Sequence, residues 1–312
     1  MVEIANVMIF SHNHIPQPVF SLPLQPQSIG DMNIKRLILV IMTLLTGMSI
    51  PVKGQIVTNS SAGYIADSIR EELDKRPYFS LYKDTYFVGG TVLGGQPDNH
   101  NSDVKFQISF QQRLTKSVLP GHTYLYLFYT QKAMWNVLER SLPFHDLNFN
   151  PGIGLSRFII MKDHLVGKAT MMIEHESNGR DGTASRSWNK ISWAGEAYIS
   201  PFLMAHAKFW VPIIDGQYNR DILKYMGISQ AGFQAKSLDD KWVLDMTLVK
   251  RQGWNLNFNT IVQLGYRINH NSNQFIMLQY YNGYGESMLD YNQYHSRIRF
   301  GLLIRPRFFS DF

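Results

Sequence analysis

Period-two alternation constrains this chain more than any other feature. In DVKFQISFQQRL, Val104, Phe106, Ile108 and Phe110 alternate with Lys105, Gln107, Ser109 and Gln111. In KWVLDMTLVK, Trp242, Leu244, Met246 and Leu248 alternate with a face that carries Asp245 and Thr247. Further on, Ile298, Phe300, Leu302 and Ile304 share one side, and Arg297, Arg299, Gly301 and Arg305 the other. Successive side chains of a strand point to opposite faces, so each segment has one oily face and one polar face. A soluble sandwich also alternates, but its strands are shorter and its oily face is buried. Here the segments run to about ten residues, the length of a tilted membrane-spanning strand. Arginines opposite aliphatics suit a barrel with a polar interior and a greasy exterior. The expected fold is all-β, a transmembrane antiparallel β-barrel. Some segments are ambiguous, notably Asn273 to Gly283, where both faces mix polar and apolar groups.

Ahead of these strands, MNIKRLILVIMTLLTGMSIPVKGQ has a basic start at Lys35 and Arg36, an apolar run from Leu37 to Leu45, and Gly54 before Gln55. That is the pattern of a secretory signal peptide. As a membrane-spanning helix, its unbroken apolar core falls short of the roughly 20 residues required. The expected organisation is an upstream stretch 1–31, a signal peptide 32–54, an N-terminal periplasmic segment 55–75 with a short surface helix over 60–75, and a barrel 76–312. No later segment reaches about 18 successive apolar residues, which excludes a helical membrane protein beyond the leader. With no cysteine, no disulfide holds the exported fold together. A net charge of +6 suits contact with anionic lipid head groups. The basic residues are scattered, however, and no nucleic-acid partner is expected. Phe312, ending an alternating strand, resembles the assembly signal of bacterial outer-membrane barrels.

The stretch VGKATMMIEHESNGRDGTASRSWNKISWAGEAYI, from Val166 to Ile199, reads as two strands joined by a polar loop. In the first strand Gly167, Ala169, Met171, Ile173, His175 and Ser177 share the oilier face; in the second, Ile191, Trp193, Gly195, Ala197 and Ile199 do. Extending each register toward the loop puts His175, Ser177 and Asn189 together on that face. His175 and Ser177 would stand about 6.6 Å apart along the strand, within reach of a leaning imidazole. A serine nucleophile needs a base, and the base an orienting partner. A neutral third member such as Asn189 suits a lipid-facing wall, where an unpaired carboxylate is costly. On these residues alone, a polar cluster marking the strand ends at the water interface fits as well. Glu174 and Glu176 lie on the opposite face and are expected to pair with lumenal arginines.

HESNGRDGTASRSWN resembles the signature of the outer-membrane phospholipase A family, His-x-Ser-Asn-Gly-Arg followed after a short loop by Ser-Arg-Ser-Trp-Asn. Here these are His175, Ser177, Asn178, Gly179 and Arg180, then Ser185, Arg186, Ser187, Trp188 and Asn189. RPYFSLYKDTYFVGG, DVKFQISFQQRL, YTQKAMW, SLPFHDLNFNP, DILKYMG and GYGESMLDYN are similar to family segments in the family's order, so the resemblance covers roughly residues 76 to 312. It implies a barrel of about twelve strands with its site on the outer wall near the outer-leaflet head groups. It also implies hydrolysis of the sn-1 and sn-2 acyl esters of glycerophospholipids in the bacterial outer membrane. By motif, Ser177 would be the nucleophile, His175 the base and Asn189 its orienter, with the Ser177 and Gly179 amides facing the oxyanion.

The same resemblance implies calcium, held by the Arg180 backbone carbonyl and Ser185, with Ser141 supplied by a second subunit, so that the active enzyme is a homodimer. Gln131 shares the face of Leu125, Leu127 and Ala133, and pairing with its symmetry mate would satisfy its amide. Bonding to lipid head groups would do so equally. Two other functions compete with this one. A lipopolysaccharide deacylase also uses a His-x-Ser pair, but in a smaller barrel with Glu as third member. A passive pore or structural barrel with a decayed motif would not need His175, Ser177 and Asn189 intact.

Overall fold

In the computed structural model each alternating segment finds two antiparallel neighbours, and the last strand pairs back onto the first long one. The structure describes residues 60–162, 164–213, 217–270 and 272–306. The expected upstream stretch, the signal peptide and Phe312 lie outside the described residues. The strands are β1 (Phe79–Leu81), β2 (Thr85–Val92), β3 (Ser102–Arg113), β4 (Tyr124–Trp135), β5 (Phe144–Met161), β6 (His164–Ser177) and β7 (Ser187–Ser200). They continue with β8 (Leu203–Ile213), β9 (Ser229–Lys236), β10 (Trp242–Lys250), β11 (Phe258–Arg267), β12 (Gln274–Gly283) and β13 (His295–Ile304). Sequence neighbours pair from β2 to β13, and β13 closes on β2, so twelve strands form the barrel. The short β1 extends the line of β2 against the end of β3.

The faces follow the alternation. Ile173 and Phe300 on the outer wall are 57% and 61% exposed, whereas their strand neighbours Glu174 and Arg299 are 4% and 1% exposed. Aliphatics so exposed over a whole wall belong in lipid. Aromatic pairs mark both ends of that wall, Trp135 with Phe144 at one end and Trp242 with Tyr266 at the other. The strands reach well past ten residues on one side, where β5 spans 18 residues and β6 and β7 span 14 each.

Buried charges fill the lumen because they are paired. Arg299 bonds Asp103 at 2.7 and 2.9 Å and Glu286 at 2.6 Å, and Lys105 joins Glu286 and Gln279 at 3.1 Å each. Arg305 bridges Asp84 and Asp245. The ambiguity of residues 273–283 has a structural cause: Phe275 and Met277 point inward, into an apolar cluster with Tyr86, Val88, Val243 and Leu303.

One rim carries the longer connections, including 178–186, 217–228 with α2 (Leu223–Met226), and 284–294; the other carries short turns such as 201–202. Long loops lie outside the cell in such barrels and short turns in the periplasm. The helix expected over 60–75 forms as α1 (Ser60–Lys75), and its last turn is anchored in the barrel, not laid on its surface. Leu73 is buried among Tyr82, Tyr124, Tyr126, Phe128 and Met172. Arg113 donates to the carbonyls of Leu73, Asp74 and Arg76 at 2.7, 2.8 and 2.9 Å, a cation on the C-terminal end of the helix.

Candidate active site

Strand register assembles the three sequence-predicted residues at the long-loop rim. β6 and β7 pair His175 with Asn189 and Ser177 with Ser187, which puts His175, Ser177 and Asn189 on the outer wall in line with Ile173 and Ile191. Asn189 Oδ1 lies 2.8 Å from His175 Nδ1. An amide oxygen only accepts, so Nδ1 carries the proton and Nε2 is the basic nitrogen. Among the described residues no hydrogen bond joins the Ser177 hydroxyl to the ring. They share a face two residues apart, and such contacts commonly tighten only around substrate.

Other residues hold this geometry from behind. Asn150 of β5 donates to the His175 carbonyl at 2.8 Å. On the lumenal side, Lys208 and Lys190 pair with Glu174 and Glu176 at 2.7 and 2.8 Å, and Trp188 Nε1 donates to Glu176 at 3.0 Å. The two glutamates therefore pair with lysines of β7 and β8, not with arginines as expected. Arg299 of β13 and Arg305 just beyond it are already taken by Asp103, Glu286 and Asp84, across the lumen from β6. Asn219 clamps Ser187, donating to its carbonyl at 2.8 Å and accepting from its amide at 3.3 Å. Nothing in the sequence marks Asn219, because its partner is 32 residues away.

The loop 178–186 follows Ser177 directly. Gly179 adopts φ +64°, and a Cβ there would stand 3.0 Å from the Phe149 ring, so only glycine fits without strain. Arg180 and Ser185 share this loop. The Arg180 guanidinium reaches away to the His145 carbonyl and stands 3.9 Å from Asp146, which removes a like charge from any cation bound in the loop. Among the described residues no three His, Asp or Glu side chains are grouped to hold a metal. The oxygen donors within the loop, a main-chain carbonyl at Arg180 and a hydroxyl at Ser185, are nevertheless of the type a hard cation takes. Ser141 is carried by a different loop, between β4 and β5, and is exposed with φ +72°. Gln131 faces outward beside Tyr129, whose hydroxyl donates to its carbonyl oxygen at 3.1 Å, so half of that amide is satisfied within the strand.

The phospholipase A1 family model matches residues 90–304. The chain belongs to the phospholipase A1 family. Phospholipase A1 of Proteus vulgaris is 31% identical over 224 residues, 68% of this chain and 73% of that protein. Phospholipase A1 of Escherichia coli K12 is 30% identical over 213 residues, 66% and 71% of the two chains. The solved structure of outer membrane phospholipase A from Escherichia coli superposes with a TM-score of 0.64 at 26% identity, covering 74% of this chain and 99% of that one. A Salmonella typhi outer membrane phospholipase dimer with bound calcium matches with a TM-score of 0.65 at 25% identity, covering 79% and 99%. As a member of this family the chain is an outer-membrane β-barrel enzyme that hydrolyses phospholipid esters.

Proposed function

We propose that this phospholipase hydrolyses sn-1 and sn-2 acyl esters with a Ser177-His175-Asn189 triad, depends on calcium, and is active as a homodimer. The 2.8 Å contact between His175 and Asn189, on a lipid-facing wall that also carries Ser177, is the observation that supports it most strongly. Ser177 Oγ attacks the ester carbonyl carbon while His175 Nε2 takes its proton. Asn189 keeps the ring in the tautomer that leaves Nε2 basic. The negative oxygen of the tetrahedral intermediate faces the Ser177 and Gly179 amides. Collapse expels the lysolipid oxygen, which His175 protonates. Water, deprotonated by the same nitrogen, then releases the fatty acid and restores Ser177.

The Arg180 carbonyl and Ser185 of one subunit, with Ser141 of its partner, would hold the calcium. Bound there, the ion supplies positive charge beside the developing oxyanion. Gln131 would lie in the dimer interface, where the amide N–H left over by Tyr129 finds an acceptor across the two-fold axis. The Salmonella typhi relative, a dimer with bound calcium, supports both readings. We also propose that residues 32–54 are a cleaved leader and 55–75 a periplasmic segment ahead of the barrel domain.

Fatty-acid release from mixed phospholipid and detergent micelles tests the proposal, with calcium or chelator and with Ser177→Ala in parallel. Release is expected with calcium alone and only from the unmodified chain. Release that persists in Ser177→Ala would remove the triad, and release in chelator would remove the metal.

A further inference from the structure

Within the exposed stretch 179–183, no side chain is sheltered, yet the residue that opens the loop is 3% exposed: Asn178. Its main-chain N–H donates to the Arg186 carbonyl at 3.0 Å, closing the base of the loop. Its side chain then does what a neighbouring strand would do. Oδ1 accepts from the Arg186 amide at 2.9 Å and the Arg180 amide at 3.4 Å, and Nδ2 donates to the Ala184 carbonyl at 2.9 Å. A short amide side chain is suited to such local main-chain mimicry.

Those three contacts have a particular placement. Ala184 and Arg186 flank Ser185, so the peptide groups on both sides of Ser185 are fixed by one side chain. The same oxygen fixes the peptide group that enters Arg180. We propose that Asn178 is the positioning residue of the calcium loop: it holds the Arg180 carbonyl and the Ser185 hydroxyl at the separation a cation requires, before the cation arrives. This rests on the reading of Arg180 and Ser185 as calcium ligands given above. Neutral donors attract a cation weakly one by one, so affinity depends on their being already in place. Groups that orient metal ligands typically change affinity by about 10- to 100-fold when removed. The expected signature is therefore a shift in calcium requirement, whereas a residue that merely stabilised the loop would lower the yield of folded enzyme at every calcium concentration.

Calorimetric titration of calcium chloride into the refolded mature chain in detergent micelles provides the test, in a Ser177→Ala background that consumes no lipid. Adding Asn178→Ala is expected to weaken the calcium Kd by about 10- to 100-fold. In the active background the calcium needed for half-maximal fatty-acid release should shift by the same factor, with the rate at saturating calcium close to the parent's. Heat-modifiable gel mobility reports whether each variant is a folded barrel. Where Asn178→Ala does not fold, Asn178→Ser carries the test. Its shorter hydroxyl adds no charge beside the cation but cannot serve the Arg180 and Arg186 amides and the Ala184 carbonyl together, and a weaker calcium Kd is again expected. An unchanged Kd in a folded variant overturns the positioning role while leaving the calcium reading intact. Absence of binding in the Ser177→Ala parent itself overturns both.

Discussion

Asn189 Oδ1 and His175 Nδ1 lie 2.8 Å apart across a paired position of β6 and β7, on the wall that faces lipid. In the proposed triad an asparagine there would orient the imidazole without placing a bare carboxylate against hydrocarbon. Asn189→Ala should leave the barrel folded and the Km for micellar substrate little changed. The kcat should fall by about 100-fold, because the base loses its preferred tautomer and orientation. Steady-state hydrolysis of a monomeric thioester substrate measures both parameters. A raised Km with unchanged kcat would instead assign Asn189 to substrate binding.

The backing of the proposed triad can be tested from inside the barrel. Glu176 and Lys190 form a 2.8 Å ion pair, with side chains 13% and 9% exposed, directly behind His175 and Asn189. Removing one partner of such a buried pair leaves an uncompensated charge, which costs about 3–5 kcal/mol, whereas replacing both by apolar groups costs far less. Glu176→Gln should therefore lower the urea midpoint of unfolding in detergent more than Glu176→Leu combined with Lys190→Met does. The reverse order would show that the pair contributes attraction in excess of its desolvation cost.

Alternation made the lumenal and lipid faces of β3, β6, β7, β10 and β13 legible, since each strand there sees polar groups inside and lipid outside. It failed at β12, where Phe275 and Met277 serve an apolar cluster within the lumen, so both faces are partly oily. The identity of the charge partners was equally hidden. Whether Glu174 meets Lys208 or an arginine depends on which lumenal side chains reach it across the curved wall, here one from β8, two strands away, and no local pattern contains that. His175, Ser177 and Asn189 were readable because a single hairpin carries them. Asn219 was not, because it reaches Ser187 from the next long loop.

The outer rim carries an acid-sensitive contact. Asp290, in the connection between β12 and β13, accepts a hydrogen bond from His145, and chiefly for that reason its carboxyl sits below its ordinary value of 3.8. A carboxyl with a depressed folded-state pKa binds fewer protons folded than unfolded. Its stabilisation is therefore complete above about pH 4 and is lost as pH falls through the lower folded value. Amide-exchange protection of residues 284–294, corrected for intrinsic rates, should decline over that acidic window. In Asp290→Asn it should be lower near neutrality and nearly flat with pH. Equal pH dependence in the two proteins would show that another group controls this loop.

Gly179 and Phe149 bring two separable costs to one position. A side chain at Gly179 meets the Phe149 ring at 3.0 Å, and it must also adopt φ +64°. The first cost is steric and can be relieved by shrinking the ring; the second, about 1–2 kcal/mol for an L-residue in the left-handed region, cannot. Gly179→Ala is expected to lower kcat by roughly tenfold or more, the equivalent of about 1.4 kcal/mol in the barrier, as the loop shifts and its amide leaves the place proposed for the oxyanion. Adding Phe149→Leu should recover part of that loss and no more, because the backbone cost remains. Full recovery in the double variant would mean that only the clash matters and that φ at residue 179 relaxes freely. No recovery would place the whole effect in the backbone, and would make the Gly179 amide, not its contact with Phe149, the feature on which activity depends.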